Sequence, residues 1–372
     1  MIRVVELFSG IGAQRAALER LRARRGLDYM SVAVCEVDPS AMAAYEAIFG
    51  PTANLGDIRR ADRLPACDLV TYSFPCQDLS SAGKMSGMKE ASGTRSSLLW
   101  EVGRLLRASE DRPEWLVMEN VPTIISERFL PDFRRWLREL ESLGYASRYG
   151  LLNASDFGVP QNRRRCFCIS RLVSKGPVPD LPKGIPLTRC LGDLLEDDVP
   201  ARFYLTEDRL RGLIMSTLTE REAGRGFRFR LRDSEGLASC LTARPGGRKT
   251  DNYLGACVKI AEAPAIKGHD INRRIYSIDA SSPAVTAAIN HQAKILLGQR
   301  VRKLTPRECW RLMDRTDREY DLARSAEVGG RPMSDTAMYR LAGNSIVVAV
   351  LESIFESMFC PRSIQALLPE VS

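Results

Sequence analysis

The chain has 372 residues, of which 44% are hydrophobic and 27% are charged, the composition of an ordinary globular protein and not of a disordered or membrane protein. Its length allows a large core with a second, smaller domain, and its formal charge of +8 is compatible with a polyanionic partner without requiring one. The N-terminal residues lack the apolar run and cleavage site of a signal peptide, and no stretch of about 18 apolar residues stands out, so the sequence predicts a cytoplasmic protein without a membrane span.

The ten cysteines form no regular framework, and Cys166 and Cys168 make a C-x-C pair instead of a C-x-x-C pair. Disulfides are not expected in the cytoplasm. Only two histidines occur, His269 and His291, so a zinc site is not expected either. Most of the cysteines are interpreted as small buried apolar residues.

The first half alternates short apolar runs with longer mixed segments, which is typical of strand and helix units that build a parallel sheet. The sequence therefore predicts an α/β fold. Two mixed segments, AQRAALERLRARR and FRRWLRELESLG, have helical periodicity, and Gly144 would end the second. The predicted strands are residues 4–7, 32–35, 68–72, 115–118 and 166–170.

The second half differs in pattern. Four prolines between residues 177 and 186 predict a hinge. Residues 226–232 then alternate and place three arginines on one face, which fits a solvated strand or a DNA contact equally well. Residues 237–247 and 281–290 are predicted strands that lead into turns. Residues 344–359 are apolar on nearly every side and predict a core helix that returns to the first lobe.

Four predicted strands are followed by residues that could bind a ligand or take part in catalysis. They run into FSGIG, into Glu36 and Asp38, into SFPCQ, and into Glu119 and Asn120. In an open α/β sheet, ligands bind outside the carboxyl ends of the strands. The sequence therefore predicts one site at this edge of the sheet, formed by a glycine loop, a cysteine and acids.

The glycine loop FSGIG allows a ligand close to the backbone, and Glu36 could hold two ribose hydroxyls. A dinucleotide fingerprint would have a third glycine where this chain has Arg15. This argues against a nicotinamide or flavin enzyme and favours a nucleoside without pyrophosphate, such as S-adenosylmethionine. A lone G-x-G is a weak signal, so the prediction depends on the other motifs.

Cys76 lies directly after a predicted strand, where a cysteine is either a buried filler or a nucleophile, and position alone favours the filler. Both histidines lie in the second half, which gives a protease-like Cys–His pair little support. Cytosine methylation needs no histidine, because a thiolate that adds to carbon 6 activates carbon 5. Glu119 could protonate or hydrogen-bond ring nitrogen N3, since a carboxyl group in a closed pocket has a raised pKa. A helix N-cap or a salt bridge remains the alternative for Glu119.

The run QNRRR at residues 161–165 opens the next predicted strand, and alternation predicts Arg163 and Arg165 on the same side. Arginine forks suit a phosphate or a carbonyl oxygen such as O2 of cytosine. The alternative is a solvated basic run.

Taken in order, these motifs resemble those of the 5-methylcytosine DNA methyltransferases of restriction–modification type, over nearly the whole chain. The resemblance implies a Rossmann-like S-adenosylmethionine-dependent methyltransferase domain with a mostly parallel sheet and a smaller strand-rich target-recognition domain. The matching blocks are LFSGIG at 7–12, 35–46, GDI at 56–58, FPCQDLS at 74–80, GTRSSLLW at 93–100, ENV at 119–121, 152–167, RKLTPRECWRL at 302–312 and 339–354.

The resemblance also implies residue roles: Cys76 as nucleophile, Glu119 on N3 and the exocyclic amine, and Arg165 on O2 of a flipped cytosine. No metal is implied. For S-adenosylmethionine, or its product S-adenosylhomocysteine, the implied residues are Phe8, Gly10, Gly12, Glu36, Val37, Asp57, Ile58, Pro75 and Asn344. For DNA, the candidates are Gln77, Ser80, Arg163, Arg244 and Arg248, although a solvated loop fits the last two equally well.

By the same resemblance, residues 1–185 form the catalytic and cofactor-binding domain, 186–300 the target-recognition domain, 301–332 a hinge and 333–372 a C-terminal helix that returns to the catalytic domain. Double-stranded DNA would lie between the lobes of a monomeric, nucleoid-associated bacterial enzyme. A cognate restriction endonuclease that acts on the same site would be its partner.

The chain departs from the family pattern at two places. Ala284 stands where such enzymes carry a threonine, and Met313-Asp314-Arg315 replaces the usual Gly-Phe-Pro, so the hinge is expected to differ.

Two rival functions remain. A tRNA cytosine methyltransferase would keep every catalytic block, but its extra Cys-Phe-Thr motif is not found and the long basic segment favours DNA. A catalytically silent DNA-binding relative would have no reason to keep Cys76, Glu119 and Arg165 together.

Overall fold

The computed structural model describes most of the chain and, in three short strands, the backbone alone. Several residues singled out above lie outside this part: Cys76, Gln77, Ser80, Arg244, Arg248, both histidines and Ala284. The described residues are 1–75, 79, 95–206, 208–210, 212–213, 231–232, 234–243, 252–254, 259–262, 274–276, 294–295 and 301–360.

A six-stranded sheet forms the centre of the described structure, in the order β2-β1-β3-β4-β7-β5. Its strands are β1 (Ile2–Leu7), β2 (Tyr29–Cys35), β3 (Leu69–Tyr72), β4 (Trp115–Asn120), β5 (Tyr145–Asn153) and, after the short β6 (Gln161–Asn162), β7 (Arg164–Leu172). Strand β7 runs antiparallel to both of its neighbours, and the other pairs are parallel. The predicted α/β class with a mostly parallel sheet is confirmed.

Helices cover both faces of this sheet. They are α1 (Ala13–Arg25), α2 (Pro39–Phe49), α3 (Leu99–Ala108), α4 (Leu130–Ser142), α5 (Pro306–Arg311), α6 (Asp317–Ser325), α7 (Asp335–Asn344) and α8 (Val348–Phe359). Successive strand residues point to opposite cores: Val4 and Val117 pack with α1, α2 and α8, whereas Val5 and Leu116 pack with α3 and α4. Burial on both faces explains why the central strands are apolar runs without alternation.

The second half of the chain contributes short strands. They are β8 (Leu231–Arg232), β9 (Ala238–Ser239), β10 (Tyr253–Leu254), β11 (Lys259–Glu262), β12 (Arg274–Tyr276), β13 (Lys294–Ile295), β14 (Arg302–Lys303), β15 (Glu327–Val328) and β16 (Arg331–Pro332). Strands β14, β10 and β8 form one small sheet and β11, β12 and β13 another. Strand β9 pairs with β6, which joins this strand-rich part to the main domain.

The C-terminal helix α8 is buried against the first helix, as its apolar sequence predicted. Arg24 and Arg25 at the end of α1 form ion pairs with Glu352 and Glu356 of α8, at 2.8 and 2.5 Å. By length and composition alone, the segment Asp335–Phe359 could cross a membrane, which the sequence prediction had excluded. Within its most apolar window 67% of the residues are buried inside the protein, so the segment is a core element here.

Candidate active site

The loop after β1 is built around left-handed backbone conformations. Phe8, Gly10 and Gly12 have φ of 58°, 56° and 69°. A Cβ atom on Gly12 would lie 2.6 Å from the rings of Tyr45 and Phe49, whereas one on Gly10 would meet nothing within 4 Å. Gly12 is therefore needed for the packing of α1 on α2, and Gly10 faces open space.

That open space is a cavity of about 680 Å³ at the carboxyl ends of β1, β2, β3 and β4. The predicted edge of the sheet and the C-terminal segment meet here, and Gly12 is not among the residues that line the cavity. Of the residues proposed from the sequence, those that line the cavity are Phe8, Gly10, Glu36, Val37, Asp57, Ile58, Pro75, Glu119, Arg163, Arg165 and Asn344.

Glu36 fastens the glycine loop to the end of β2. One of its carboxylate oxygens accepts a hydrogen bond from the Gly10 amide at 2.8 Å. The other accepts from the amides of Val37 and Asp38 at 2.9 and 2.8 Å. Asp38 also contacts Arg340 of α7, so the C-terminal segment closes this side of the cavity.

The cavity wall carries polar side-chain atoms without partners among the described residues, and one exposed apolar side chain. Ser9 Oγ and Gln14 Oε1 are buried without a hydrogen-bond partner among the described residues, and both residues line the cavity. Val37 is 68% exposed and lines the cavity. Hydrogen bonds from the Arg59 side chain and amide lower the pKa of Asp57 to about 2.

Glu119 and Arg165 form an ion pair inside the cavity. Glu119 on β4 lies opposite Phe167 on β7, so Arg165, two residues from Phe167, is its diagonal neighbour on the same face. Arg165 Nε lies 3.1 Å from Glu119 Oε1, and both side chains are largely buried. Burial raises the pKa of Glu119, although the two nearby arginines and a hydrogen bond from Ser73 act in the opposite direction.

The segment that carries Cys76 is held on both sides of the cysteine. Asn120 Nδ2 donates to the Phe74 carbonyl at 3.0 Å, and Ser96 Oγ donates to the Pro75 carbonyl at 2.8 Å. Beyond the cysteine, Thr123 Oγ1 donates to the Leu79 carbonyl at 2.7 Å. Cys76 itself lies outside the described residues, between these anchored positions.

Arg163 has a structural environment that the sequence did not indicate. Its side chain is buried and donates to the carbonyls of Leu241 at 2.9 Å, Gly343 at 3.0 Å and Ser345 at 2.7 Å. These bonds join three distant parts of the chain at the cavity. Both terminal nitrogens of Arg163 are therefore engaged within the protein, and its expected contact with DNA stays a prediction.

Sequence reasoning also missed Cys240, which had been placed only within a predicted strand. Its Sγ accepts hydrogen bonds from Arg163 at 3.4 Å and from Arg165 at 3.6 Å. Burial would raise the pKa of Cys240, but the two guanidinium groups outweigh it and the pKa is lowered. No local sequence signal would have identified this contact across more than 70 residues. Among the described residues, no group of three His, Cys, Asp or Glu side chains could hold a metal ion.

Two solved methyltransferase structures have the same fold as this chain. The methyltransferase EhMeth of Entamoeba histolytica superposes with a TM-score of 0.67 at 18% identity, with 98% of this chain and 99% of that chain covered. The S. pombe Dnmt2 methyltransferase superposes with a TM-score of 0.62 at 20% identity, with 97% and 99% covered. At such identities the likeness establishes the fold alone.

Sequence relatives establish the family. The type II methyltransferase M2.ScrFI of Lactococcus lactis subsp. cremoris is 35% identical over 310 residues, which cover 82% of this chain and 71% of the relative. The orphan methyltransferase M.SssI of Spiroplasma monobiae is 29% identical over 419 residues, which cover 96% and 97%. A family model described as C-5 cytosine-specific DNA methylase matches residues 2–360. The chain belongs to the C-5 cytosine-specific DNA methylase family.

Proposed function

We propose that this protein transfers a methyl group from S-adenosylmethionine to carbon 5 of a cytosine flipped out of duplex DNA. The observation that carries the proposal is the single cavity that contains both the glycine loop and the Glu119–Arg165 pair. Strand β3 ends at the same edge of the sheet, and Cys76 follows it by four residues in the sequence. Membership of the C-5 cytosine-specific DNA methylase family supports this chemistry.

The cavity wall fits the methyl donor. Glu36 would hold the ribose hydroxyls, the exposed Val37 side chain would be covered by the adenine, and Asp57 with Ile58 would contact its edge. Ser9 Oγ and Gln14 Oε1, which lack partners among the described residues, would bind polar groups of the amino acid part. When bound, S-adenosylmethionine supplies an electrophilic methyl group, and Phe8, Gly10, Pro75 and Asn344 complete its site.

The chain's own residues activate the cytosine. The Cys76 thiolate forms a bond to carbon 6 while N3 takes a proton from Glu119, whose raised pKa keeps that proton available. The resulting enamine makes carbon 5 nucleophilic. After methylation, the proton on carbon 5 is lost to solvent, the bond between Sγ and carbon 6 breaks and releases the thiolate, and N3 returns its proton to Glu119, which leaves neutral 5-methylcytosine. Arg165 would donate to O2 and hold the ring against Glu119.

The proposed substrate is double-stranded DNA, bound between a catalytic domain of residues 1–185 and a target-recognition domain of residues 186–300. The base must leave the helical stack to reach the cavity, which requires base flipping. Relatives named as type II methyltransferases support DNA, a cytoplasmic location and, as a further proposal, a cognate endonuclease. Gln77, Ser80, Arg244 and Arg248 would contact the DNA, and the protein would act as a monomer.

Covalent catalysis by Cys76 can be trapped. A duplex containing 5-fluorocytosine should give a denaturation-resistant adduct in the presence of S-adenosylmethionine, because fluorine cannot leave as a proton does. Cys76→Ala should form no adduct. The buried Cys67 offers a control, since Cys67→Ala should form the adduct as the wild type does. An adduct with Cys76→Ala would show that another residue is the nucleophile.

Bisulfite sequencing of total DNA and RNA from expressing cells tests the substrate. We expect 5-methylcytosine within one short DNA sequence context, and none in cells that express Cys76→Ala. Modification confined to tRNA would favour the RNA-directed alternative. Bound cofactor without any modification would favour the silent DNA-binding alternative.

A further inference from the structure

The departure at Met313-Asp314-Arg315 forms a turn that lies directly against the glycine loop and α1. Asp314 has a left-handed φ of 59°, and its carboxylate contacts Arg20 of α1. The turn ends with Arg315, which is only 3% exposed. An arginine is rarely buried to this extent unless its hydrogen bonds are satisfied.

Arg315 divides its two terminal nitrogens between two elements. One donates to Glu319 Oε1 of α6 at 2.6 Å. The other donates to the backbone carbonyl of Ile11, also at 2.6 Å, across 304 residues of sequence. The guanidinium lies 5.9 Å from the ring of Phe49, one of the two rings that Gly12 contacts. The turn is thus joined to the glycine loop by a short charged hydrogen bond.

The Ile11 carbonyl depends on an outside donor. The first backbone bond into α1 is made by the Gly12 carbonyl, which accepts from the Ala16 amide at 3.0 Å. Ile11 itself is 2% exposed, and a buried carbonyl without a donor costs free energy. Because Phe8 and Gly10 have unfavourable φ for most residues, the loop needs such restraint to keep its shape.

We propose that Arg315 is a positioning residue for the methyl donor: it holds the glycine loop in the conformation that forms the cavity wall. The inference rests on the proposed use of this cavity for S-adenosylmethionine. The inference gives a role to the chain's departure from the Gly-Phe-Pro pattern, because Arg315 joins this turn to the glycine loop through its hydrogen bond to Ile11.

Calorimetric titration with S-adenosylhomocysteine tests this role without requiring turnover. Arg315→Met should weaken binding by about 10- to 100-fold, the range expected for the loss of a charged hydrogen bond. The lysine in Arg315→Lys can donate to Glu319 or to Ile11 but cannot bridge both. Its affinity for S-adenosylhomocysteine should therefore lie between those of Arg315→Met and the wild type. In steady state, KM for S-adenosylmethionine should rise in both variants while kcat changes little.

Two controls separate positioning from general stability. Arg302→Met removes another buried Arg–Glu pair, with Glu308 at 2.8 Å, and should lower the melting temperature without changing the affinity for S-adenosylhomocysteine. Glu319→Gln removes the ion pair of Arg315 but leaves the bond to Ile11, and should also keep that affinity.

The outcomes are distinct. If the folded wild type does not bind S-adenosylhomocysteine, the proposed function fails. If the wild type binds and a folded Arg315→Met variant binds equally well, the positioning role is wrong. If Arg315→Met does not fold, Arg315→Lys decides: unchanged affinity, or a loss equal to that of Arg302→Met or Glu319→Gln, overturns the inference.

Discussion

Glu119 experiences two opposing electrostatic effects within a few ångströms. Burial favours its neutral form and raises its pKa, whereas the guanidinium of Arg165 at 3.1 Å favours the carboxylate. Burial is the larger effect. A carboxyl group in this state can be protonated before cytosine enters and can give up the proton as charge develops on N3.

Glu119→Gln should lower the rate of methyl transfer by about 10²- to 10⁴-fold, because the amide can donate a hydrogen bond but cannot transfer a proton. Affinity for S-adenosylhomocysteine should stay nearly unchanged. Since the pKa of Glu119 is raised, the proton donor is present at low pH and is lost as the pH rises through that value. The wild-type rate should therefore fall on the alkaline side.

Single-turnover rates across pH would check this assignment. The residual rate of Glu119→Gln should show no corresponding alkaline fall. Wild-type turnover by Glu119→Gln, or the same alkaline fall in both proteins, would remove Glu119 from the mechanism.

At the scale of elements, the loop between β1 and α1 contains two glycines that serve different purposes. Both have left-handed φ. A Cβ atom added at Gly12 would lie within 3 Å of neighbouring rings, whereas one added at Gly10 would not. Gly10 faces the cavity and donates its amide to Glu36. One glycine is required by packing, and the other by the space left for a ligand.

Gly12→Ala should cost about 2–5 kcal/mol of unfolding free energy, the sum of backbone strain and overpacking. Gly10→Ala should cost only the strain, about 1–2 kcal/mol, but should strongly weaken S-adenosylhomocysteine binding because its methyl group enters the cavity. Urea unfolding and calorimetric titration of both variants measure the two effects. Equal stability losses in the two variants would contradict the structural distinction.

The sequence predicted those strands whose residues are buried on both faces. Strands β1 to β4 were found because each contains a short continuous apolar run, which is consistent with a strand buried on both faces. Strand β5 was missed, since it is an edge strand with half-buried residues and exposed Tyr149, and it has no apolar run. The antiparallel direction of β7 was also not readable from its composition.

Some candidate site residues could be placed from the sequence, and others could not. The glycine loop, Glu36 and Glu119 could be placed together because parallel strands end at a common edge. The environments of Arg163, Cys240 and Arg315 depend on contacts across roughly 75 to 300 residues. Such contacts are fixed by packing of whole elements, so neither periodicity nor motif spacing could predict them.

On the scale of the whole molecule, Arg163 and Gln161 hold the separate parts together at the cavity. Gln161 donates to the Leu312 carbonyl at 2.7 Å and accepts from the Leu241 amide at 3.2 Å. Arg163 adds the carbonyls of Gly343 and Ser345. Two neighbouring side chains thus contact the strand-rich part, the segment around Leu312 and the C-terminal segment together.

Arg163→Met should lower the unfolding free energy by several kcal/mol, since it would remove a charged donor from three buried carbonyls at about 1–3 kcal/mol each. Arg165→Met should change stability much less and lower the rate of methyl transfer instead. Thermal unfolding and single-turnover rates of the two variants provide the comparison. A stable, inactive Arg163→Met variant would instead support a direct role for Arg163 in substrate binding.

The cavity has one wall from the first residues of the chain and another from residues near 345, which affects when the enzyme can become active. Synthesis proceeds at about 5–20 residues per second and early domains fold as they emerge. The glycine loop would thus be made roughly 20 to 70 seconds before Asn344 and Ser345 arrive to close the site. On the proposed function, methylation would begin only once α7 and α8 have emerged, so an interrupted chain would have no methyl-transfer activity.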